Sequence, residues 1–303
     1  MKKFVLALCL LLLPGLTWAA PTWRITELDM DDLSRPQSAF GYEDALFTAN
    51  QGSGPAKSDG FILRYNLEDY AETKFLQDEL YDPKGFAIVR NYILLIDQNL
   101  DGEGPGLILA DLRKDKIVTK VKIAEADNLH GVTALNSSNF VVTDRGKNLL
   151  FTVTIDMENK LTVTPWVMDI FEASGVCLHD SFIYAAGSAL DEKTQQTKSG
   201  SIYQIDPFTT VTQRFVTLTQ TNTGYLNALT GHRGYLFAGD WAGEDQEAAA
   251  VYVISTSSKR RVARIDVPLG VTDIAAWGDA LYLPIPSQNK VLRIEVDFES
   301  LGR

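Results

Sequence analysis

The stretch Phe140–Asp156, "FVVTDRGKNLLFTVTID", is two apolar runs joined by a short polar loop that opens on Asp144. The same arrangement recurs as "YILLIDQNLDGEGPGLILAD" (92–111), "YLFAGDWAGEDQEAAAVYVIS" (235–255) and "ALYLPIPSQNKVLRIEVD" (280–297). Aligning the end of the first run in each places Asn50, Asp97, Asp144, Ala186, Asp240 and Pro284 in equivalent positions. Upstream of these stand Ser38, Gly85, Gly131, Gly175, Asn227 and Asp273, each at the start of another short apolar run. The unit reads strand, turn, strand, polar loop, strand, turn, strand. Its runs are rich in Val, Ile, Leu, Tyr and Phe, and Gly, Asn and Asp punctuate them. Six such units with a period in the forties predict an all-β fold, a six-bladed β-propeller. The last unit supplies only three strands. The segment "TWRITELD" (22–29) alternates like a strand and is expected to complete the last blade as its outer strand, removing an open edge.

The first residues stand outside this pattern. Lys2 and Lys3 precede the apolar "FVLALCLLLLPGL" and a small-residue end at Ala19, which reads as a secretory signal peptide over residues 1–19. The apolar core is too short and too interrupted by Pro14 to span a bilayer. The expectation is a periplasmic or secreted chain with one propeller domain over residues 20–303. Beyond the leader one cysteine remains, Cys177, so no internal disulfide can form. The formal net charge is −11, and losing Lys2 and Lys3 makes it more negative. That balance argues against nucleic acid or an anionic membrane as partner. A small molecule or a protein remains as the expected partner.

"DPKGFA" (82–87) and "VTDRGKNLLFTV" resemble NHL-repeat units through Pro83, Gly85, Ala87, Asp144 and Asn148. The wider group includes the SMP-30/gluconolactonase-like six-bladed propellers. The resemblance implies the same fold, and it raises a metal-dependent lactonase or esterase as the alternative to a binding module. That group's metal cage uses a Glu, two Asn and an Asp from inner-strand starts. The matching positions here are Ser38, Gly131 (or neighbouring His130), Gly175 (or Ser174) and Asn227, of which Asn227 alone is such an oxygen ligand.

Strand direction places the run-starting and run-ending residues at one mouth of the central channel, together with long polar loops such as 51–60, 98–106, 187–200 and 241–249. Loops on a rigid scaffold are where binding residues concentrate. The candidate ligand site is therefore Lys84, His130, Asp144, Asn227, Asp240, Trp241 and Asp273, on a face expected to be acidic. As exposed groups, Asn227 and Asp273 are expected to matter little to stability. Asp97, Asn99 and Asp101, followed by Gly102, match the first half of a Ca²⁺-binding loop and make Ca²⁺ the one candidate cofactor. Ile108 stands where that loop type needs its bidentate Glu. No nucleophile elbow, zinc-protease motif or phosphate loop is present. His179 and His232 fall on tight turns of the opposite face, and Cys177 alternates into a strand core.

Overall fold

A computed structural model describes residues 23–190, 197–218, 226–240, 249–268 and 270–301. The signal-peptide segment and Trp241 lie outside them. Six four-stranded antiparallel sheets are built from strands consecutive in sequence, with one exception. The blades cover residues 36–80, 83–122, 129–168, 176–218, 226–267 and 275–296. The sixth takes its outer strand from the opposite end of the chain. Trp23–Glu27 pairs antiparallel with Lys290–Val296, with Trp23 opposite Val296 and Glu27 opposite Leu292. The all-β six-bladed propeller, closed by the N-terminal strand, is the architecture of this chain. Among the described residues no helix is long and apolar enough to cross a membrane.

The second strand of each blade carries most of the burial. Ala45–Asn50 is buried at every position, and so is Ala280–Ile285. Both faces of these strands pack against neighbouring blades, which is why they read as continuous apolar runs rather than as alternation. Outer strands alternate instead: Lys116–Lys122 exposes every second residue. One run-ending position shifts. In the fourth blade the second strand continues past Ala186 to Leu190, so Ala186 lies within a strand and the polar loop begins later than its sequence suggests.

Blade-to-blade spacing at the channel explains the glycines at run starts. A Cβ on Gly85 would lie 2.4 Å from the His130 carbonyl oxygen, one on Gly131 2.5 Å from the Ser174 carbonyl, and one on Gly175 2.3 Å from the Leu229 nitrogen. Each glycine lets its inner strand press against the next one around the ring. Side chains then staple the junctions. Ser38 Oγ donates to the Lys84 carbonyl at 2.6 Å, Thr143 Oγ1 to the Ser174 carbonyl at 2.5 Å, and Ser174 Oγ to the Leu226 carbonyl. Asn227 Nδ2 donates to the Thr272 carbonyl at 3.1 Å, and Asp273 Oδ2 accepts from the Ala39 N–H at 3.2 Å. The last of these joins the sixth blade to the first.

Candidate functional site

Four of the inner strands begin with a break in pairing register: between Pro36 and Ser38, Pro83 and Phe86, Leu129 and Val132, and Leu226 and Ala228. A bulge of this kind re-aims the side chains inside it. The residues within these four breaks include Gln37, Lys84, His130 and Asn227, and all four line one cavity of about 300 Å³ at the channel mouth. The six run-starting residues Ser38, Gly85, Gly131, Gly175, Asn227 and Asp273 line it too. Phe86, Val132, Val176 and Asp273 also line the cavity on the opposite side. They form the waist of the channel, three apolar side chains and one carboxylate.

Of the sequence-predicted ligand residues, the structure brings Lys84, His130, Asn227 and Asp273 together. It does not bring Asp144 or Asp240 to the cavity. Both are fully buried. The Asp144 carboxylate accepts the backbone N–H groups of Asp127 (2.8 Å), Asn128 (3.0 Å) and Lys147 (3.0 Å). Asp97 does the same for Tyr81 (2.9 Å), Asp82 (2.9 Å) and Asn99 (3.0 Å). Asn50 Oδ1 accepts from the Ser34 N–H at 3.1 Å. Asp240 accepts from the Tyr252 hydroxyl at 3.2 Å. At Asn50, Asp97 and Asp144, the strand-ending side chain clamps the segment that leads into its own blade's inner strand. The recurrence is a folding device.

The same engagement speaks against the Ca²⁺ loop. Both Asp97 oxygens face backbone donors, Asn99 Nδ2 donates to the Pro55 carbonyl at 2.7 Å, and Asp101 pairs with Lys120 at 2.7 Å. The three side chains serve three different neighbours and do not converge as a Ca²⁺ ligand set must. Among the described residues, no group of three or more His, Cys, Asp or Glu side chains is placed to hold a metal ion. Millimolar Ca²⁺ is therefore expected to leave the melting temperature unchanged. Asp101→Ala is expected to cost less than about 1 kcal/mol, as for an exposed ion pair. A Ca²⁺-dependent rise in the parent that Asp101→Ala removes would restore the metal reading.

Residues that sequence reasoning missed sit one position after the clamps. Gln51 Nε2 donates to Asp82 Oδ1 at 2.5 Å, Gln98 Nε2 donates to Asn128 Oδ1 at 2.8 Å, and Arg145 lies 3.9 Å from Glu172. Each reaches from one blade to the entry segment of the next. Gln51, Asn128 and Arg145 line the cavity, with Arg35 at its rim. The available signal was the polar residue repeated after Asn50, Asp97 and Asp144. Lys84 is held by Asp82 at 3.0 Å and by Gln37 Oε1 at 3.1 Å.

Among the described residues, the charged groups of the lining are Arg35, Lys84, Arg145 and Asp273. Within the described lining cations outnumber carboxylates, with Asp82 beside Lys84 and Glu172 beside Arg145; much of the loop-rich face expected to be acidic lies outside the described residues. Asn227 is buried and serves as a staple, so its removal must cost stability, contrary to expectation. His130 and Asp273 retain some surface, and both line the cavity. Burial, with Arg145 and Lys84 nearby, lowers the His130 pKa to about 3 against a partial offset from its hydrogen bond to Asn227. Burial raises Asp273 to about 6, although the Ile274 and Ala39 N–H groups favour its charged form. At neutral pH the ring is neutral and the carboxylate mostly ionised.

These two groups act on stability in opposite directions. Folded Asp273 holds its proton to higher pH than unfolded Asp, so its contribution is present at acid pH and is lost as pH rises from about 4 to 6. Unfolded His protonates near 6.5 while folded His130 does not, so its contribution is lost as pH falls from about 6.5 towards 3. The stability of the parent relative to Asp273→Asn should fall by about 1–3 kcal/mol between pH 4 and 6. Relative to His130→Gln it should rise with pH over that same interval. Urea unfolding at fixed pH steps measures both, and flat differences would mean that neither group is desolvated as described.

On the opposite face, His232 is half-buried, stacks edge-on against Phe298 at 5.3 Å and contacts the Gly278 carbonyl at 2.9 Å. His179 is half-buried and lies 3.2 Å from Asp180. Cys177 is buried, and burial pushes its thiol pKa up, which makes it a poor nucleophile.

No protein family and no curated protein matches the chain in sequence. Solved structures do match in shape. A β-propeller domain of Cps50 (Swd1) from Myceliophteria thermophila aligns with TM-score 0.59 and 11% identity, over 89% of this chain and 99% of that one. Hydrazine synthase from Kuenenia stuttgartiensis aligns with TM-score 0.56 and 12% identity, over 88% and 97%. A nidogen/laminin complex aligns with TM-score 0.57 and 14% identity, over 75% and 82%. At these identities the likeness is one of fold alone: the chain is a β-propeller.

Proposed function

We propose that this protein is an exported binding module whose ligand site is the cavity at the channel mouth, with the surrounding loops available to a protein partner. The observation that carries this reading is the convergence of bulge residues from four blades, Gln37, Lys84, His130 and Asn227, on one concave space. Polar groups gathered over an apolar floor are the usual form of a small-molecule site. Export rests on the leader at residues 1–19, and the NHL-like units Pro83-x-Gly85-x-Ala87 and Asp144 to Asn148 agree with a propeller that binds rather than one defined by a single chemistry.

The lactonase-type alternative finds less support. The inner-strand starts offer Ser38, three glycines, Asn227 and Asp273, and Asn227 is already committed to the Thr272 carbonyl. Native mass spectrometry of protein isolated from periplasmic or culture fractions tests the binding reading. The parent should carry or take up a small molecule. Val132→Trp, which fills the waist, should not, while both melt cooperatively. Equal uptake by both would remove the ligand from the cavity, and metal-dependent turnover of a lactone or ester panel would replace the binding reading with the enzyme.

A further inference from the structure

We infer that the cavity recognises the carboxylate of a small organic monoanion, with Lys84 and Arg145 as its charged contacts, Arg35 guarding the rim, and the anion's uncharged body resting on the waist. The inference deepens the binding-module reading and depends on it. It rests first on an imbalance of charge. The chain has 28 basic against 39 acidic residues, yet three of the four charged side chains in the described lining are cations. A random sample of this surface would lean the other way.

Second, the cations are held in place. Asp82 and Gln37 hold the Lys84 ammonium, and Glu172 stands 3.9 Å from the Arg145 guanidinium. Carboxylates beside a cation restrict its rotamers, so less freedom is lost when a ligand arrives. Lys84 belongs to the second blade, and His130 and Arg145 to the third, so the two cations and the ring enter the cavity from neighbouring blades. His130 stays neutral and hydrogen-bonded to Asn227, and so contributes a polar edge without adding charge.

Third, the paired carboxylates and the floor set the ligand's class. Asp82 and Glu172 offset two of the three cations, and Asp273 at the waist adds a negative charge near neutral pH. With Asp273 ionised these six groups sum to zero, so a single carboxylate is held only by lying beside the cations, while Asp273 repels the second charge of a phosphate dianion. Phe86, Val132 and Val176 offer the remaining wall to an apolar or hydroxylated body. A cavity of about 300 Å³ lies at the small end of ligand sites.

The test is calorimetric and NMR titration of the purified protein with butyrate and benzoate, with butyramide and benzamide as neutral isosteres and inorganic phosphate as a separate arm. The carboxylates should bind saturably, at least about tenfold tighter than the amides, and more weakly as salt is raised. Lys84→Met and Arg145→Met should each weaken benzoate about tenfold or more, whereas Lys120→Met, which breaks a pair with Asp101 outside the cavity, should not. Circular dichroism melts establish that each variant is folded. Amides binding as well as carboxylates would overturn the anion inference and leave the cavity as the site. Phosphate binding tighter than the carboxylates would overturn the monocarboxylate assignment. If neither carboxylate binds at millimolar concentration the inference fails, and uptake by the parent against Val132→Trp still decides the binding-module reading on its own.

Discussion

Asp144→Ala is expected to lower the unfolding free energy by about 3–5 kcal/mol, because a buried carboxylate that accepts three backbone N–H groups is removed and the donors are left without partners. The loss should be cooperative and should reduce the urea midpoint with little change in slope. Asp97→Ala should behave alike, since Asp97 accepts from Tyr81, Asp82 and Asn99 in the corresponding places of the second blade. Asp101→Ala is the control from the same loop. A loss below about 1 kcal/mol at Asp144 would mean that the clamped segment finds other partners, and the carboxylate would again be open to a ligand role.

Removing residues 22–29 should have the other large effect. Without Trp23–Glu27 the strand Lys290–Val296 becomes an unpaired edge, and edges of this kind recruit other chains. The deletion also takes away Leu28, which packs on the core cluster at the junction of the first and sixth blades, and breaks the Lys290–Glu27 ion pair. The expected result is a protein that aggregates or melts well below the parent, by about 7 °C for a loss of roughly 4 kcal/mol. A truncated chain that stays monomeric and melts with the parent would contradict the closure of the ring by its N-terminal strand.

The fold was legible because the six units repeat a pattern that few architectures share. The apolar second strands, buried on both faces, announce themselves as runs such as Tyr92–Asp97, and the shared register of Gly85, Gly131 and Gly175 follows from the close approach of inner strands. The site was half legible. Register alone placed Lys84, His130, Asn227 and Asp273 at the mouth, since strand starts must lie there. It failed at Asp144 and Asp240 because a strand-ending acid has the same spacing whether it faces a ligand or turns back on the backbone. The direction is decided by N–H groups 16 or 17 residues upstream of Asp144 that only the folded loop supplies. Arg145 and Arg35 were missed because net charge averages over the chain, while the cavity samples a few rim positions.

Hydrogen exchange read by mass spectrometry, with and without saturating benzoate, tests most directly whether the channel mouth is the binding site. Slowed exchange is predicted in segments 84–86, 128–132 and 227–229, which contain the bulges that aim Lys84, His130 and Asn227 inward. The far-face turns near 178–182 and 231–235 should be unchanged. Protection confined to those turns, or absent from all three mouth segments, would contradict the account.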